Sequence, residues 1–417
     1  MKKFNSYLKI FNNIGKEEIR LANRVLKSGN LSGFMGSIEK GYEEKYFGGK
    51  YVKKLEKNWA KYYKVKHAIS VNSWTSGLTV AIGSLNIEPG DEIIVSPWTM
   101  CASATTILHW NAIPIFADIE EDTFCLDPKK VIKLINKKTK AILTVDIFGQ
   151  NSNYEALKSI CKKYKLKLIA DSAQSPLSLY KKNFVNDYVD IAGFSLNTHK
   201  HIQTGEGGIL VTNDDFLAKR MKMLRNHGEA IVNNNRNLLQ NMLGGNYRMN
   251  EIEAAIAIEQ LKKLKKIVTK IQKNTNFINS KLSQLDGLII PKVRKNCTHS
   301  YYINALRINE KKINNKRDRI FKELQNEGLN FIFKGYSLLH LLPMYQKKIA
   351  YGSKGFPWKI YNKEVNYKRG ICPISERLDK EIICMEMCYY DFSKKNIKEI
   401  IDKFNKVWKK LKIKKLQ

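Results

Sequence analysis

The stretch AILTVDIFGQNSNYEALKSICKKYKLKLIAD, residues 141–171, carries the clearest signal of fold class in the chain. It begins with a short apolar run at 141–145 and ends with another at 166–170, and both are typical of buried strands. Residues 154–164 between them form an amphipathic run of helical spacing. A strand, a helix and a second strand in this order predict a mostly parallel sheet covered by helices on both faces.

The same alternation extends outward in both directions, from about residue 68 to residue 212. Further strands are predicted at 68–71, 92–96, 113–117, 189–195 and 208–212, and further helices at 78–85, 103–109 and 128–135. After the last strand, either Asp214 or Asp215 is placed to cap the next helix. The pattern therefore predicts an α/β domain.

The rest of the chain indicates a second domain. Residues 249–271 have apolar side chains at the spacing of one long helix, which we expect to join two domains. Ser393 is a candidate N-cap for a C-terminal helix with one apolar stripe. We predict an N-terminal arm at 1–50, a large domain at 51–262 and a smaller C-terminal α+β domain at 263–417.

The chain is strongly basic, with 73 Lys and Arg against 39 Asp and Glu among 417 residues, which gives a net charge of +34. Such a charge attracts phosphates, anionic sugars, nucleic acid or an acidic membrane surface, so it does not identify a partner. Lysines spread along every helix explain the charge more simply, because no basic block carries interleaved aromatic residues. We therefore expect neither nucleic acid nor a membrane as a partner.

Membrane crossing and secretion are both disfavoured by the sequence. No apolar run approaches the roughly 20 residues that a bilayer crossing needs. The start, MKKFN, is like that of a signal peptide, but polar residues at 12–18 interrupt it, so we expect a cytoplasmic protein. The cysteines are odd in number, seven, and contain no C-x-x-C pair, which favours reduced thiols over disulfides or a zinc ribbon.

Polar clusters follow three of the predicted strands, at the positions where open α/β sheets bind their ligands. They are NSWTSG at 72–77, DSAQ at 171–174 and SLNTHK at 195–200, the last leading into GEGG at 205–208. The first opens a helix, so its backbone N–H groups and hydroxyls would face a bound anion. Each cluster alone also has a plain structural interpretation, as a helix cap, a turn or a surface lysine.

The order and spacing of these clusters favour a functional interpretation. Pyridoxal phosphate chemistry needs an anion site for the phosphate, a carboxylate for the pyridinium nitrogen and a lysine amine for the aldehyde. Residues 72–77, Asp171 and Lys200 provide these three groups in that order. The sequence therefore predicts pyridoxal 5'-phosphate as cofactor.

Most of the chain, from about Tyr51 to the C-terminus, resembles the DegT/StrS-type sugar aminotransferases. These enzymes have fold type I, with a mostly parallel mixed sheet in the large domain, and they use pyridoxal phosphate. The segments that carry the resemblance are VNSWTSGL (71–78), PGDEIIVSPWT (89–99), PIFAD (114–118), KTKAILTVDIFGQ (138–150), DSAQ (171–174), FSLNTHKHIQTGEGGILVT (194–212) and NYRMNEIEAAIAIEQL (246–261).

The resemblance assigns roles to individual residues. Lys200 matches the lysine that binds the cofactor covalently and then moves the proton between the cofactor and substrate carbons. Asp171 matches the carboxylate that keeps the ring nitrogen protonated, and Gln174 matches the residue at the ring 3' oxygen. The residues that match phosphate ligands are Thr75, Ser76 and Ser195.

Asn246 matches an asparagine that reaches the phosphate of the neighbouring subunit's cofactor, which implies a homodimer with shared active sites. Three positions depart from the family pattern: Trp74 replaces a glycine, Met100 an aromatic residue and Asp146 a histidine. Since the aromatic residue normally covers the cofactor ring, this role passes to Met100 or to Trp98.

Substrate contacts and metal binding are the remaining site questions. We predict His340 and Glu206 as substrate-facing residues, His340 in the second domain and Glu206 beside the lysine segment. His199 and His201 flank Lys200 but lack a third ligand at a sensible spacing, so no metal is expected. A related dehydratase branch has a histidine in place of the lysine. Lys200 argues against membership of that branch, but the neighbouring His199 keeps this alternative open.

The resemblance implies an aminotransferase that moves an amino group from glutamate to a nucleotide-linked keto sugar. The product would be an amino sugar for a surface polysaccharide or glycan, and the basic charge suits a diphosphate-linked substrate. A keto-cyclitol as amino acceptor stays open, because the same active-site residues serve both. A non-catalytic basic binding protein on the same fold is the alternative from another class, and the presence of both Lys200 and Asp171 argues against it.

Overall fold

The computed structural model describes residues 8–35, 43–228, 242–361 and 363–416 of the chain. Seven strands in this part form one sheet: β1 His67–Val71, β2 Glu92–Val95, β3 Ile113–Phe116, β4 Thr139–Val145, β5 Lys167–Asp171, β6 Ile191–Ser195 and β7 Gly208–Thr212. Their order is β1-β7-β6-β5-β4-β2-β3. The pairs from β3 to β6 are parallel, and β7 runs antiparallel between β6 and β1. The prediction of a mostly parallel mixed sheet is confirmed.

Helices precede, connect and follow these strands. They are α1 Lys16–Ser28, α2 Lys50–Tyr63, α3 Trp74–Gly83, α4 Ala102–His109, α5 Pro128–Val131, α6 Tyr154–Tyr164, α7 Asp215–Arg225 and α8 Glu251–Leu282. Short 3-10 segments lie at Glu43–Phe47, Ile147–Gly149 and Val185–Asp187. None of the helices in the described ranges is both long and apolar enough to cross a membrane.

Both faces of the sheet are covered, as predicted. In β7, Ile209 and Val211 pack into an apolar cluster with α2 and α8, whereas Leu210 between them packs into a second cluster with α3 and α4. Because neighbouring side chains of a strand point to opposite faces, this alternation shows one helical layer on each side. The sheet is therefore buried, and only its edges and strand ends are available for ligands.

The C-terminal part has a small antiparallel sheet of its own. Its strands are β8 Leu288–Ile289, β9 Ile303–Ile308, β10 Ile332–Phe333 and β11 Ile382–Glu386, in the order β10-β11-β9-β8. The helices that accompany them are α9 Arg317–Asn326, α10 Pro343–Lys347, α11 Pro373–Glu381 and α12 Lys394–Lys410, with 3-10 segments at Leu339–Leu341 and Trp358–Ile360. This is the smaller α+β unit that the sequence predicted.

Several predicted helices have different bounds in the structure; the one predicted at 78–85 is α3, which begins at Trp74, after the cap residue Ser73, and ends at Gly83. The helix predicted at 249–271 is α8, which continues to Leu282 because Ile278 and Leu282 extend its buried stripe into the small domain. The helix predicted at 128–135 ends at Val131. Beyond it, the Asn136 side chain bonds local backbone groups and so favours a turn over a further helical turn. The predicted domain boundary at 262/263 lies inside α8 and stays a prediction.

Helix starts follow the capping rules. Asp214, and not Asp215, caps α7, since its carboxylate accepts hydrogen bonds from the backbone N–H groups of Phe216 and Leu217. Ser393 caps α12 as predicted and accepts from the backbone of Asn396. These side chains bond N–H groups that have no acceptor within the helix, and so they fix where each helix begins.

Substitutions in the C-terminal helix α12 can measure how much the core of the small domain contributes to the free energy of unfolding. Phe404 is fully buried on the apolar side of α12, whereas Lys409 lies on its exposed side. We expect Phe404→Ala to lower the free energy of unfolding by about 3–5 kcal/mol, because a large cavity replaces the ring. The control Lys409→Ala should change it by less than about 0.5 kcal/mol. Urea denaturation measures both, and equal effects would contradict the packing described here.

Candidate active site

A cavity of about 320 Å³ opens at the carboxyl ends of the central strands. Strands β1, β4, β5 and β6 point in the same direction, so the residues that follow them meet at one edge of the sheet. Seven of the predicted site residues line this cavity: Thr75, Met100, Asp171, Gln174, Ser195, Lys200 and Glu206. The three polar clusters that are distant in sequence therefore form one site.

The start of α3 forms the anion-binding end of the cavity. Ser73 is the N-cap, and its hydroxyl accepts from the backbone N–H of Ser76 at 3.0 Å and contacts the Ser76 hydroxyl at 2.9 Å. Thr75 and Ser195 line the cavity beside it, whereas Ser76 is turned toward Ser73. The unpaired N–H groups of a first helical turn carry partial positive charge, so this end suits a phosphate.

Asp171 ends β5 with a buried carboxylate that has three protein donors. Its Oδ1 accepts from the Trp74 indole at 2.7 Å and from the Ala173 backbone at 3.2 Å, and its Oδ2 accepts from the Ser103 hydroxyl at 2.8 Å. An ionised carboxylate has about four lone-pair directions, so one remains for a further donor. Burial raises the pKa of Asp171, while the bonds from Ser103 and Trp74 lower it.

Lys200 faces the same cavity, and burial shifts the pKa of its amine. Burial lowers the pKa of Lys200 to about 8, although the negative charge of Asp171 opposes this shift. Its Nζ lies 4.1 Å from the centre of the Tyr302 ring, a contact with an aromatic face in place of water. A lysine in this setting is partly neutral near pH 8 and so can act as a nucleophile and as a base.

Gln174 is held in a fixed orientation at the side of the cavity. Its carbonyl oxygen accepts from the backbone N–H of Phe148 at 2.7 Å, and its amide nitrogen donates to the Tyr336 hydroxyl at 3.1 Å. Tyr336 and Tyr302 come from the small domain and line the cavity together with Gln174. The active site is therefore built by both domains.

Met100 and Trp98, the two candidates for covering the cofactor ring, lie in different places. Met100 lines the cavity and is about half exposed, at 49%. Trp98 is buried outside the lining, and its indole donates to the backbone carbonyl of Tyr336 at 2.6 Å. The position of Met100 favours it for that role, which stays a prediction.

Two further predicted residues lie away from this cavity. His340 is buried and its Nε2 lies 3.1 Å from a carboxylate oxygen of Glu376. Asn246 is exposed, and its side-chain oxygen accepts from the backbone and guanidinium of Arg248. Neither residue touches the cavity of its own chain, and both role assignments stay predictions.

Asp146, which replaces a histidine of the family pattern, has a structural role. It is buried behind the cavity and accepts from the hydroxyls of Tyr154, Ser172 and Ser175 and from the backbone and hydroxyl of Ser152. Five donors saturate its lone pairs, in contrast to Asp171. It therefore fixes the loop after β5 and has no lone pair left for a ligand.

Sequence reasoning missed several residues of the site. Tyr302 and Tyr336 lie beyond α8, and no local pattern marks them as neighbours of Lys200. Ser103 begins the helical run predicted at 103–109, and no pattern in that run marks it as a donor to Asp171. The described residues contain no group of three or more His, Cys, Asp or Glu side chains able to hold a metal ion.

The donor set of the cavity fits pyridoxal phosphate. The start of α3 suits the phosphate, the free lone pair of Asp171 suits a protonated ring nitrogen, and Lys200 suits the aldehyde. Fold and site together define a pyridoxal-phosphate-dependent transferase. Residues 37–358 match the DegT/DnrJ/EryC1/StrS aminotransferase family, and the chain belongs to this family.

The chain is also similar to individual proteins. The spore coat polysaccharide biosynthesis protein SpsC of Bacillus subtilis (strain 168) is 31% identical over 351 residues, 82% of this chain and 86% of that protein. A GDP-perosamine synthase of Caulobacter vibrioides is 33% identical over 298 residues, 71% of this chain and 79% of that protein. The crystal structure of 3-amino-5-hydroxybenzoic acid synthase shares the fold, with a TM-score of 0.82 at 20% identity and coverage of 97% and 99% of the two chains.

The titration of Lys200 can be tested on the cofactor-free protein. Only the neutral amine reacts with acetic anhydride, so labelling of Lys200 should reach half of its maximum near pH 8 and level off at higher pH. Peptide mass spectrometry after competitive labelling gives this profile, with the exposed Lys57 as an internal reference. A Lys200 profile that follows that of Lys57 would contradict the effect of burial.

Proposed function

We propose that this aminotransferase moves the amino group of glutamate to a nucleotide-linked keto sugar, and that it works as a homodimer with shared active sites. The observation that carries the proposal is the single cavity that brings Lys200 and Asp171 together with an anion-binding helix start. The similarity to an enzyme named as a GDP-perosamine synthase supports a nucleotide-linked sugar as the acceptor.

The residues of the cavity have different roles in the proposed reaction. When bound, pyridoxal phosphate supplies an aldehyde for the amino group and a ring that withdraws electrons from the substrate carbon. Lys200, as a neutral amine, would take the proton from the glutamate carbon and deliver it to the cofactor carbon that carried the aldehyde, so one group is both base and acid. Asp171 would stabilise positive charge at the ring nitrogen, and the hydroxyls of Thr75 and Ser195 would bind the phosphate.

Glutamate and the sugar use the site in turn. Glutamate would transfer its amino group to the cofactor carbon that carried the aldehyde and, with water supplying the keto oxygen, depart as 2-oxoglutarate, after which the keto sugar would enter the same cavity. Glu206 lies at the cavity and accepts a hydrogen bond from the Asn197 amide at 2.9 Å, which orients its carboxylate for a sugar hydroxyl. The net charge of +34 favours capture of a diphosphate-linked substrate.

The proposal of shared active sites is based on the position of Asn246. The Asn72 amide donates to the Asn246 backbone carbonyl at 3.3 Å, and the Asn72 N–H donates to the Tyr247 carbonyl at 3.0 Å. These bonds hold residues 246–247 beside the segment that leads into α3, with Asn246 exposed and Tyr247 half-buried. A partner subunit docked there would bring its own cavity within reach of Asn246.

The amino donor and the acceptor are tested separately by absorbance spectroscopy. Glutamate should convert the yellow cofactor-loaded protein to its colourless amino form, and a nucleotide-linked keto sugar should restore the yellow form. Lys200→Ala should abolish both changes within the measuring time, because the proton carrier is absent. Conversion by glutamate with restoration by a keto-cyclitol alone would overturn the sugar and leave the aminotransferase. Lack of any response to glutamate would overturn the donor.

Heterodimers test whether sites are shared. In a dimer of one Lys200→Ala and one Asn246→Asp subunit, one site keeps both wild-type residues. We therefore expect about half of the wild-type rate from purified heterodimers, while each parent homodimer is strongly impaired. A heterodimer of Lys200→Ala with Asp171→Ala is the matched control, since it leaves no intact site and should stay inactive. Equal rates for the two heterodimers would contradict a shared site.

A further inference from the structure

The indole of Trp74 lies against the active-site carboxylate. Trp74 is the first residue of α3 and follows the cap residue Ser73, yet its side chain points inward and is only 6% exposed. Its Nε1 donates to Asp171 Oδ1 at 2.7 Å, which is the shortest of the three bonds that this carboxylate accepts. The helix that forms the anion-binding end therefore also holds the carboxylate.

The surrounding backbone is shaped for this indole. Gly193 on β6 pairs in register with Asp171, and a Cβ atom at Gly193 would lie 1.9 Å from the indole ring. A Cβ atom at Gly77 would lie 2.5 Å from the same ring, and one at Gly208 would lie 2.9 Å from the Trp74 backbone. Three glycines thus leave the space that the tryptophan fills, so the inward position of the ring is specified by its surroundings.

The hydrogen bond has an electrostatic consequence beyond packing. A buried carboxylate loses the solvation of water, and donors that face it replace part of that solvation. The indole N–H is a donor only, so it stabilises the ionised form of Asp171 and cannot accept a proton from the neutral acid. Together with Ser103 and the Ala173 backbone, it also restricts the rotation of the carboxylate.

We propose that Trp74 is a positioning residue, whose indole N–H holds the Asp171 carboxylate ionised and oriented toward the ring nitrogen of the cofactor. The proposal concerns the cofactor alone and does not depend on the identity of the amino acceptor. Its alternative is that Trp74 only fills the space beside three glycines. The two differ in what happens when the N–H is removed while the ring volume is largely kept.

Trp74→Phe is the test variant, and Trp59→Phe is its matched control. Trp59 is fully buried, and its indole nitrogen has no hydrogen-bond partner among the described residues. Both substitutions shrink a buried indole, but only the first removes a donor from a carboxylate. Effects that appear in the first variant and not in the second therefore report on the hydrogen bond.

The measurements use protein loaded with pyridoxal phosphate that is labelled with ¹⁵N in the ring. In the wild type we expect the ¹⁵N chemical shift of a protonated ring nitrogen, and in Trp74→Phe a move toward the unprotonated value. The dissociation constant of the cofactor, followed by visible absorbance, should rise about tenfold or more. A tenfold rise is expected when the interaction between the carboxylate and the ring nitrogen loses the free energy that corresponds to one pKa unit. Trp59→Phe should leave both quantities unchanged.

An unchanged ¹⁵N shift and dissociation constant in Trp74→Phe would overturn the proposal, and so would equal changes in the two variants. If Trp74→Phe does not fold, 3-benzothienylalanine at position 74 replaces the N–H by sulfur and keeps the shape of the ring. The same residue at position 59 is then the control. An unaltered ring nitrogen in the sulfur-containing protein at position 74 would overturn the proposal as well.

Discussion

The burial of two carboxylates at neighbouring strand ends is the constraint on which the site depends. A carboxylate removed from water needs donors, and Asp146 after β4 and Asp171 at the end of β5 obtain them in different ways. Asp146 is saturated by hydroxyls and backbone of the adjoining loops, which makes it a structural anchor. Asp171 accepts three donors, so one lone pair of its carboxylate remains available for a further donor. The two carboxylates occupy similar positions in the sheet, and they differ in how many hydrogen-bond donors each one has.

Lys200 completes this balance of charge within the cavity. Burial disfavours the charged forms of both Lys200 and Asp171, while each opposes that effect on the other through its charge. Lys200 is the group that loses its charge more readily, because its amine is buried and lies over the Tyr302 ring. Burial raises the pKa of Asp171, and the hydrogen bonds that its carboxylate accepts from Ser103 and Trp74 oppose this and favour the charged form. One cavity can thus hold a neutral base beside an ionised carboxylate.

The sequence predicts the large domain well because its signals are local. Alternating apolar runs predict the strands, and caps such as Ser393 predict where helices begin. Strand exits predict Asp171 and Lys200, since parallel strands bring their carboxyl ends together whatever their separation in the chain. Contacts between distant side chains lack such signals. Ser103 reads as one more helical residue, and Trp74 as a departure from the family, until the structure places both beside Asp171.

The aromatic wall of the cavity depends on contact between the two domains. Trp98 does not line the cavity, but its indole holds the Tyr336 carbonyl, while the Leu339 N–H donates to the Pro97 carbonyl at 2.7 Å. These bonds fix the loop of the small domain against the segment after β2, and Gln174 then bonds the Tyr336 hydroxyl. Trp98 therefore holds Tyr336, a residue of the cavity wall, and whether Trp98 or Met100 covers the cofactor ring stays a prediction. The lining residues of the cavity are consequently spread over both domains, and those from the small domain, Tyr302 and Tyr336, carry no local motif that identifies the amino acceptor.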